Sequence, residues 1–434
     1  MYKKIKERFN TYFNYIKAST RKTRYSAIGK IFRMPGITIF IKYPKGIHKS
    51  AVYGVNAYNN DKGVIKASYK EIYNSNKIYR TQPKTVDEKI HGEFDIEYKH
   101  ESPAAFVAVF PDGEVWNRNG AVVTPDGYLV ADVSSNFSNA PKEPLNFIEW
   151  KLPSVYKVPG KVAVLSVIGG EGYFHWMFDV LPRIHLLRSS GICLEDIDKF
   201  IITTYKFPYQ RETLNLFQIP ETKLVESFKY HHIKTDTLVV PSLAGITGNM
   251  PKWVCDFLRK EFLHSRVINK SSLPKRIYIS RAKASCRRVI NEVEVINFLK
   301  KFGFEQITLE SLSVSEQAAL FSSAQVVVAP HGAGLSNVVF CNPGTKVIEL
   351  FSANYVNVCF WALSNQVGCE YYYLRGENTN KQEDIARDGN AENILVNIEL
   401  LSKTIELAEL GVGVAKDSGR KSLKNSGLVV NIQG

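Results

Sequence analysis

The sequence predicts an α/β protein in which two Rossmann-like domains face a cleft, with a small antiparallel β element ahead of the first. Three observations carry this expectation. From residue 160 onward, short apolar runs of strand type alternate with stretches of helical periodicity, the pattern of parallel sheets covered by helices. One polar stretch, Asn269-Lys270-Ser271-Ser272-Leu273-Pro274, breaks the alternation and divides it into two runs. Ahead of both, residues 104–133 read as short alternating strands joined by Asp-Gly turns. At 434 residues, the chain is also too long for one small core.

The first element is basic. Thirteen lysines and arginines and a single acid, Glu7, fall in the first 50 residues and account for +12 of the formal net charge of +14. Ile5, Phe9, Phe13 and Ile16 recur there at helical spacing, with lysines on the other faces. Residues 1–20 are therefore expected to form a basic amphipathic helix, either lying peripherally on an anionic membrane or packed on the protein's own core. A nucleic-acid binder would spread its basic residues over a folded face among stacking aromatics, so no nucleic-acid partner is expected. No apolar run of signal-peptide length follows the basic start, and none approaches the roughly 20 residues of a membrane span.

Residues 50–100 are polar and read as loop-rich. The text then changes to AAFVAVF, PDGEVW and AVVTPDGYLVADV, which supply the antiparallel element. The first α/β run places strands at 162–167, 200–203 and 238–240 and helices at 173–188, 210–217 and 252–263. The second places strands at 276–280, 306–309, 326–329 and 346–351 and helices at 292–302 and 315–322. An amphipathic helix at 391–409 and a Gly/Ser/Lys-rich tail from Gly411 close the chain. The expected divisions are 1–95, 96–268, 275–410 and 411–434.

Composition is ordinary for a globular protein, with 44% apolar and 23% charged residues. The six cysteines are scattered without a CxxC pair, which favours a reducing compartment and a cytoplasmic setting. Asn136-Phe137-Ser138 and Asn269-Lys270-Ser271 match a glycosylation sequon, but in the absence of a secretory signal both are read as chance.

The most informative stretch is the loop His331-Gly332-Ala333-Gly334-Leu335-Ser336-Asn337, which follows the buried run VVVAP. Glycines at a strand's carboxyl end let a phosphate approach the backbone, and a helix N-terminus adds partial positive charge. Ser336 and Asn337 can cap that helix or donate to the phosphate. Glu349, near the end of the next strand, is placed to accept both hydroxyls of a ribose. The pattern also approaches a dinucleotide fingerprint, but only about seven helical residues separate the two strands, and a dinucleotide unit needs a longer crossover. An NAD-dependent oxidoreductase is thus the minor alternative.

In RIYISRAKASCRRVI, Ser280 and Arg281 end the first strand of the second run, with Arg287 and Arg288 close behind. Guanidinium groups there would stabilise a departing nucleoside diphosphate. In the first run, Tyr173-Phe174-His175-Trp176-Met177-Phe178-Asp179 opens a helix. His175 and Asp179 lie one turn apart on one face and could deprotonate an acceptor hydroxyl; a purely structural pair is the plainer reading. Tyr173, Trp176 and Arg183 fall on the same acceptor side. The D-x-D of Asp196 and Asp198 precedes its strand and reads as a solvated turn, and His231-His232 reads as surface.

FHWMFDVLPR, then IYISR with its downstream arginines, then ALFSSAQVVVAPHGAGLSNVVF and PGTKVIELF, taken in this order, resemble glycosyltransferase family 61, the family often described as capsular polysaccharide biosynthesis proteins. The resemblance covers about residues 160–375. It implies a GT-B fold, an inverting mechanism and no obligatory metal or other cofactor. It also implies that the HGAGLSN loop and Arg281 hold the diphosphate of a nucleotide-sugar donor such as a UDP-sugar, with His175 and Asp179 near the acceptor. Glu171-Gly172 stands where many relatives carry Asn, which puts the acceptor edge in question. The implied setting is bacterial capsule or exopolysaccharide assembly on a glycan or lipid-linked glycan. A non-catalytic nucleotide- or glycan-binding protein on the same scaffold is the alternative of a different class.

Overall fold

The computed structural model describes residues 44–61, 66–134, 154–263, 272–378 and 391–411. The expected amphipathic helix of residues 1–20, both sequons and the tail beyond Gly411 lie outside them. The architecture is mixed α/β, with two compact units: Met1–Thr81, Glu97–Arg266 and Ser313–Ser315 in one, Gln82–Ile96, Val267–Leu312 and Glu316–Gly434 in the other.

The first unit is organised on a ten-stranded sheet. Its central strand, His232–Pro241, runs parallel to Tyr156–Val164 and antiparallel to Ala105–Pro111 and Glu114–Trp116. Lys199–Ile202 and Leu224–Glu226 extend the parallel side. The antiparallel strands of residues 105–130 are therefore part of the main sheet and not a separate small one. The reason is the apolar character of both faces of Ala105–Pro111, which cannot be left to solvent on either side. Tyr156–Val164 and His232–Pro241 begin well before the apolar runs at 162 and 238. Their first halves, YKVPGK and HIKTDT, are mostly polar, with Val158 and Ile233 the buried apolar residues, and a register shift between Val158 and Lys161 interrupts the alternation.

Residues 50–100 carry more structure than their composition suggests. Ala51–Asp61 is a helix that buries Ala51, Val55 and Tyr58, and both carboxylate oxygens of Asp132 accept from Ala51 N at 3.0 Å, capping it. Ser68–Tyr73 pairs with Ala105–Pro111, and Asn76–Tyr79 pairs with Lys99–Ser102. These strands are short and largely exposed, so period-two alternation has little room to show.

The second unit holds a six-stranded parallel sheet in the order Glu305–Ile307, Arg276–Ile279, Val326–Pro330, Lys346–Phe351, Glu370–Arg375, Lys84–Thr85. Val326–Pro330 is buried throughout and Lys346–Phe351 nearly so, as strands covered on both faces must be. Helix Cys359–Val367 and strand Glu370–Arg375 add a further helix–strand pair beyond the elements expected from the sequence. The expected helix at 391–409 is Ile398–Leu407, capped by Asn397, whose side chain accepts from Leu400 N at 3.0 Å. The edge strand Lys84–Thr85 and the helix Gly92–Ile96 come from far upstream. Phe94 of that helix is buried edge-on against Trp361 (5.3 Å) and face-on against Tyr373 (4.8 Å).

Candidate functional site

In the first unit, the strand Tyr156–Val164 leads into a glycine-rich turn and then a helix. Gly169 has a left-handed backbone (φ 70°), and the imidazole of His175 lies on it: a Cβ there would sit 2.7 Å from Cδ2. The helix is irregular. One α-helical turn, Tyr173–His175, passes into a π-helical turn, Trp176–Val180, before Leu181–Ser189 resumes α geometry. Such π turns are rare and gather at functional sites. His175 Nδ1 and Asp179 Oδ2 are 2.7 Å apart, and both side chains remain partly exposed. The carboxylate accepts the Nδ1 proton, which assigns Nε2 as the nitrogen that would take up another.

Two residues expected on the acceptor side are instead structural. Trp176 is fully buried, and its Nε1 donates to Thr213 Oγ1 at 2.8 Å. Arg183 is also fully buried: Nη1 donates to Ser166 O at 3.0 Å, and Nε and Nη2 donate to Pro241 O at 3.0 and 2.6 Å. Burial pushes its guanidinium down to about 9, against the pull of the Asp179 charge. Its three hydrogen bonds to two buried carbonyl oxygens hold it inside the protein and away from the acceptor side expected for it. Tyr173 stays half-buried, edge-on to Tyr209 at 5.2 Å. Tyr209, whose hydroxyl donates to Glu171 O, was not foreseen.

His232 is likewise not a surface residue. It is buried on Trp116, ring centroids 4.2 Å apart, with Nε2 3.0 Å from Glu114 Oε2; His231 is exposed. Asp198 of the D-x-D accepts from Lys161 N at 2.7 Å. Among the described residues, no group of three or more His, Cys, Asp or Glu could hold a metal ion.

In the second unit, Val326–Pro330 delivers His331 and the glycine loop, and Arg276–Ile279 delivers Ser280 and Arg281 beside it. The guanidinium of Arg281 lies on Gly332: a Cβ on Gly332 would be 2.0 Å from Nη1. Arg281 is steadied by Nη2 donating to Cys286 O (3.1 Å) and Nε donating to Arg287 O (3.3 Å). Its pKa is pushed below the ordinary arginine value by burial first and by the neighbouring Arg287 charge second. The helix Ala333–Phe340 is of 3₁₀ type, its first bond running from Leu335 N to Gly332 O. The N–H groups of Ala333 and Gly334 precede that bond and have no partner within the helix. Ala333 and Gly334 are also the half-exposed part of the loop.

The remaining loop residues face inward. Leu335 is core, Ser336 is buried, and Asn337 Nδ2 donates to Gln317 Oε1 (2.7 Å) and Gly334 O (3.1 Å). Ser280 is buried, and its Oγ accepts from Ala282 N. Arg287 takes a left-handed backbone (φ 54°) next to Arg281, whereas Arg288 is exposed and its backbone pairs with Asn393 and Ile394.

Glu349 departs most from expectation. It is fully buried, with Oε1 2.5 Å from His331 Nδ1 and Oε2 accepting from the Tyr371 hydroxyl at 2.5 Å. Burial first and the Glu349 charge second hold the Tyr371 phenol well above its ordinary value, so it stays protonated and donates. The carboxylate is engaged on both oxygens within the protein and is not presented to a ribose. The register shows why: Glu349 stands opposite Ala329, two residues before His331, so the two side chains share one face of the sheet.

Residues 173–348 match the family model described as Glycosyltransferase 61. The chain is 27% identical over 133 residues to the β-1,2-xylosyltransferase RCN11 of Oryza sativa subsp. japonica, a stretch covering 27% of this chain and 25% of the relative. It is 28% identical over 105 residues to a β-1,2-xylosyltransferase of Arabidopsis thaliana, covering 21% and 20%. It is 30% identical over 122 residues to the β-1,2-xylosyltransferase XAX1 of Oryza sativa subsp. japonica, covering 26% and 21%. The chain thus spans a quarter or less of the length of these relatives.

Proposed function

We propose, from the match of residues 173–348 to the glycosyltransferase 61 family model, that this chain transfers a sugar from a nucleotide-sugar donor to a hydroxyl of a glycan acceptor. The observation that carries the reading is Arg281 laid on Gly332, beside the open N–H groups of Ala333 and Gly334. Together they offer a fixed cation and oriented backbone donors, the chemistry that receives a diphosphate.

In this reading the fold is GT-B-like, with the second unit holding the donor, a UDP-sugar, and the first supplying the base. His175 Nε2 takes the acceptor hydroxyl's proton while Asp179 steadies the imidazolium. The freed oxygen attacks the anomeric carbon and forms the new glycosidic bond with inversion. The bond from that carbon to the β-phosphate oxygen breaks, and its electron pair leaves on the nucleoside diphosphate, where Arg281 meets the growing charge. No step calls on a divalent cation. The relatives named above are plant xylosyltransferases, so the acceptor is proposed as a glycan hydroxyl, without the capsular setting.

A thermal-shift panel of UDP, GDP, UDP-sugars and NAD, with and without EDTA, tests the reading. The expected result is stabilisation by a nucleoside diphosphate that EDTA does not alter and that Arg281→Ala abolishes. A shift with NAD alone, or with no nucleotide, would overturn it.

A further inference from the structure

The His331 imidazole is enclosed by aromatic rings, with Phe351, Tyr355 and Phe360 at 5.4, 5.5 and 5.3 Å between centroids. Its Nδ1 is held by Glu349, which Tyr371 holds in turn. Nε2 makes no hydrogen bond to a described residue. One ring nitrogen is thus committed inside the protein, and the other is the single polar atom that the ring can offer, at the first residue of the glycine loop.

We infer that Glu349 and Tyr371 are positioning residues that fix the His331 proton on Nδ1, so that Nε2 accepts a hydrogen bond from a ribose hydroxyl of the bound nucleotide. Tyr371 donates to one Glu349 oxygen and the other lies 2.5 Å from His331 Nδ1, so the carboxyl group serves as acceptor on both sides and the imidazole as donor. The nitrogen opposite then carries a lone pair, and which nitrogen does so is set by the bond the other makes. A lone pair cannot bind a diphosphate oxygen, which also lacks a proton at neutral pH, but it can receive a hydroxyl. The loop therefore divides its labour: Arg281 and the backbone N–H groups meet the phosphates, and His331 meets the sugar of the nucleoside. The ribose is still recognised by the Glu349 strand, but through His331 and not by Glu349 itself. Tyr355 also faces this ring, Cys359 feels the charges of Glu349 and Arg287, and Arg281 lies on the next residue, Gly332. The inference rests on the donor-site reading given above.

The test is nitrogen-15 NMR of histidine-labelled full-length protein, titrated with UDP and, separately, with inorganic pyrophosphate. Expected are a His331 ring protonated at Nδ1, an Nε2 resonance of lone-pair type that UDP moves, and no movement with pyrophosphate, which lacks the ribose. Glu349→Gln should loosen the tautomer and weaken UDP binding about tenfold, the loss of one buried hydrogen-bond arrangement. Tyr371→Phe should act in the same direction, more weakly, and keeps the assignment testable where Glu349→Gln folds poorly. A ring protonated at Nε2, or an Nε2 resonance that pyrophosphate moves as much as UDP does, overturns the inference. UDP binding that requires Arg281 but leaves Nε2 still overturns this assignment alone. Failure of the wild-type protein to bind either probe overturns the donor site with it.

Discussion

At the scale of single residues, two histidines, one in each unit, share one device on unrelated backbones. His175 is held at Nδ1 by a carboxylate one helical turn away, and His331 by a carboxylate on the neighbouring strand. Each outcome below follows from one contact. Asp179→Asn leaves the helix in place but replaces the acceptor-only carboxylate with a neutral amide that no longer fixes the His175 tautomer or steadies its positive charge, so transfer should fall by about 10² or more while the thermal shift with UDP persists. Radiolabelled sugar transfer and the shift assay, run side by side, check this. Gly332→Ala puts a methyl group 2.0 Å from the Arg281 guanidinium and should displace it. Nucleotide stabilisation should be lost, with an overpacking cost of about 1–3 kcal/mol measured by denaturant titration. Both effects appear in the order of residues along the sequence only in part: the i, i+4 spacing of His175 and Asp179 is visible there. The His331–Glu349 contact is not, because it depends on strand register. Trp176 and Arg183 were misplaced because a helix's sequence shows which residues share a face, not whether that face meets solvent or another strand's carbonyls.

At the scale of elements, burial on both faces decided what could be read. Val326–Pro330 and Lys346–Phe351 announce themselves as continuous apolar runs, whereas Ser68–Tyr73 and Lys84–Thr85 are short and polar and take their strand character from their neighbours. The helix Ala51–Asp61 shows how much one distant residue can do. Asp132 caps it across 81 positions of sequence, and burial raises the Asp132 carboxyl to about 6 in spite of the N–H groups it accepts. A folded value above the unfolded one means that the folded state binds the extra proton. This contribution to stability is complete below about pH 4 and is lost as pH rises through about 6. Asp132→Asn should remove that slope, so its stability relative to wild type should rise between pH 4 and pH 7. The difference, from urea titrations at the two pH values, should be no more than about 3 kcal/mol.

At the scale of the whole chain, the two units have separate hydrophobic cores, one built on Val162, Ile233, Leu238 and Phe110, the other on Val328, Ile348, Leu350 and Leu401. Chains of this kind lose their structure in more than one step. Phe94→Ala should lower the transition that UDP raises by about 3–5 kcal/mol, through the cavity left beside Trp361 and Tyr373. Calorimetry with and without UDP distinguishes the two transitions. The alternation of strands and helices made the α/β class legible from the sequence. The contribution of residues 82–96 to the second unit was not, since nothing local in Lys84–Thr85 or Gly92–Ile96 says which sheet they will join.

That excursion also sets an order of events during synthesis. Residues 82–96 leave the ribosome before any other part of the second unit, and the strand Glu370–Arg375, against which Lys84–Thr85 pairs, follows much later. At ordinary elongation rates the delay is tens of seconds. For that interval the Phe94 segment is tethered to a first unit that is already emerging and free to collapse, yet it must not be drawn into it. The nascent chain must therefore keep an apolar side chain waiting for a partner that has not been translated.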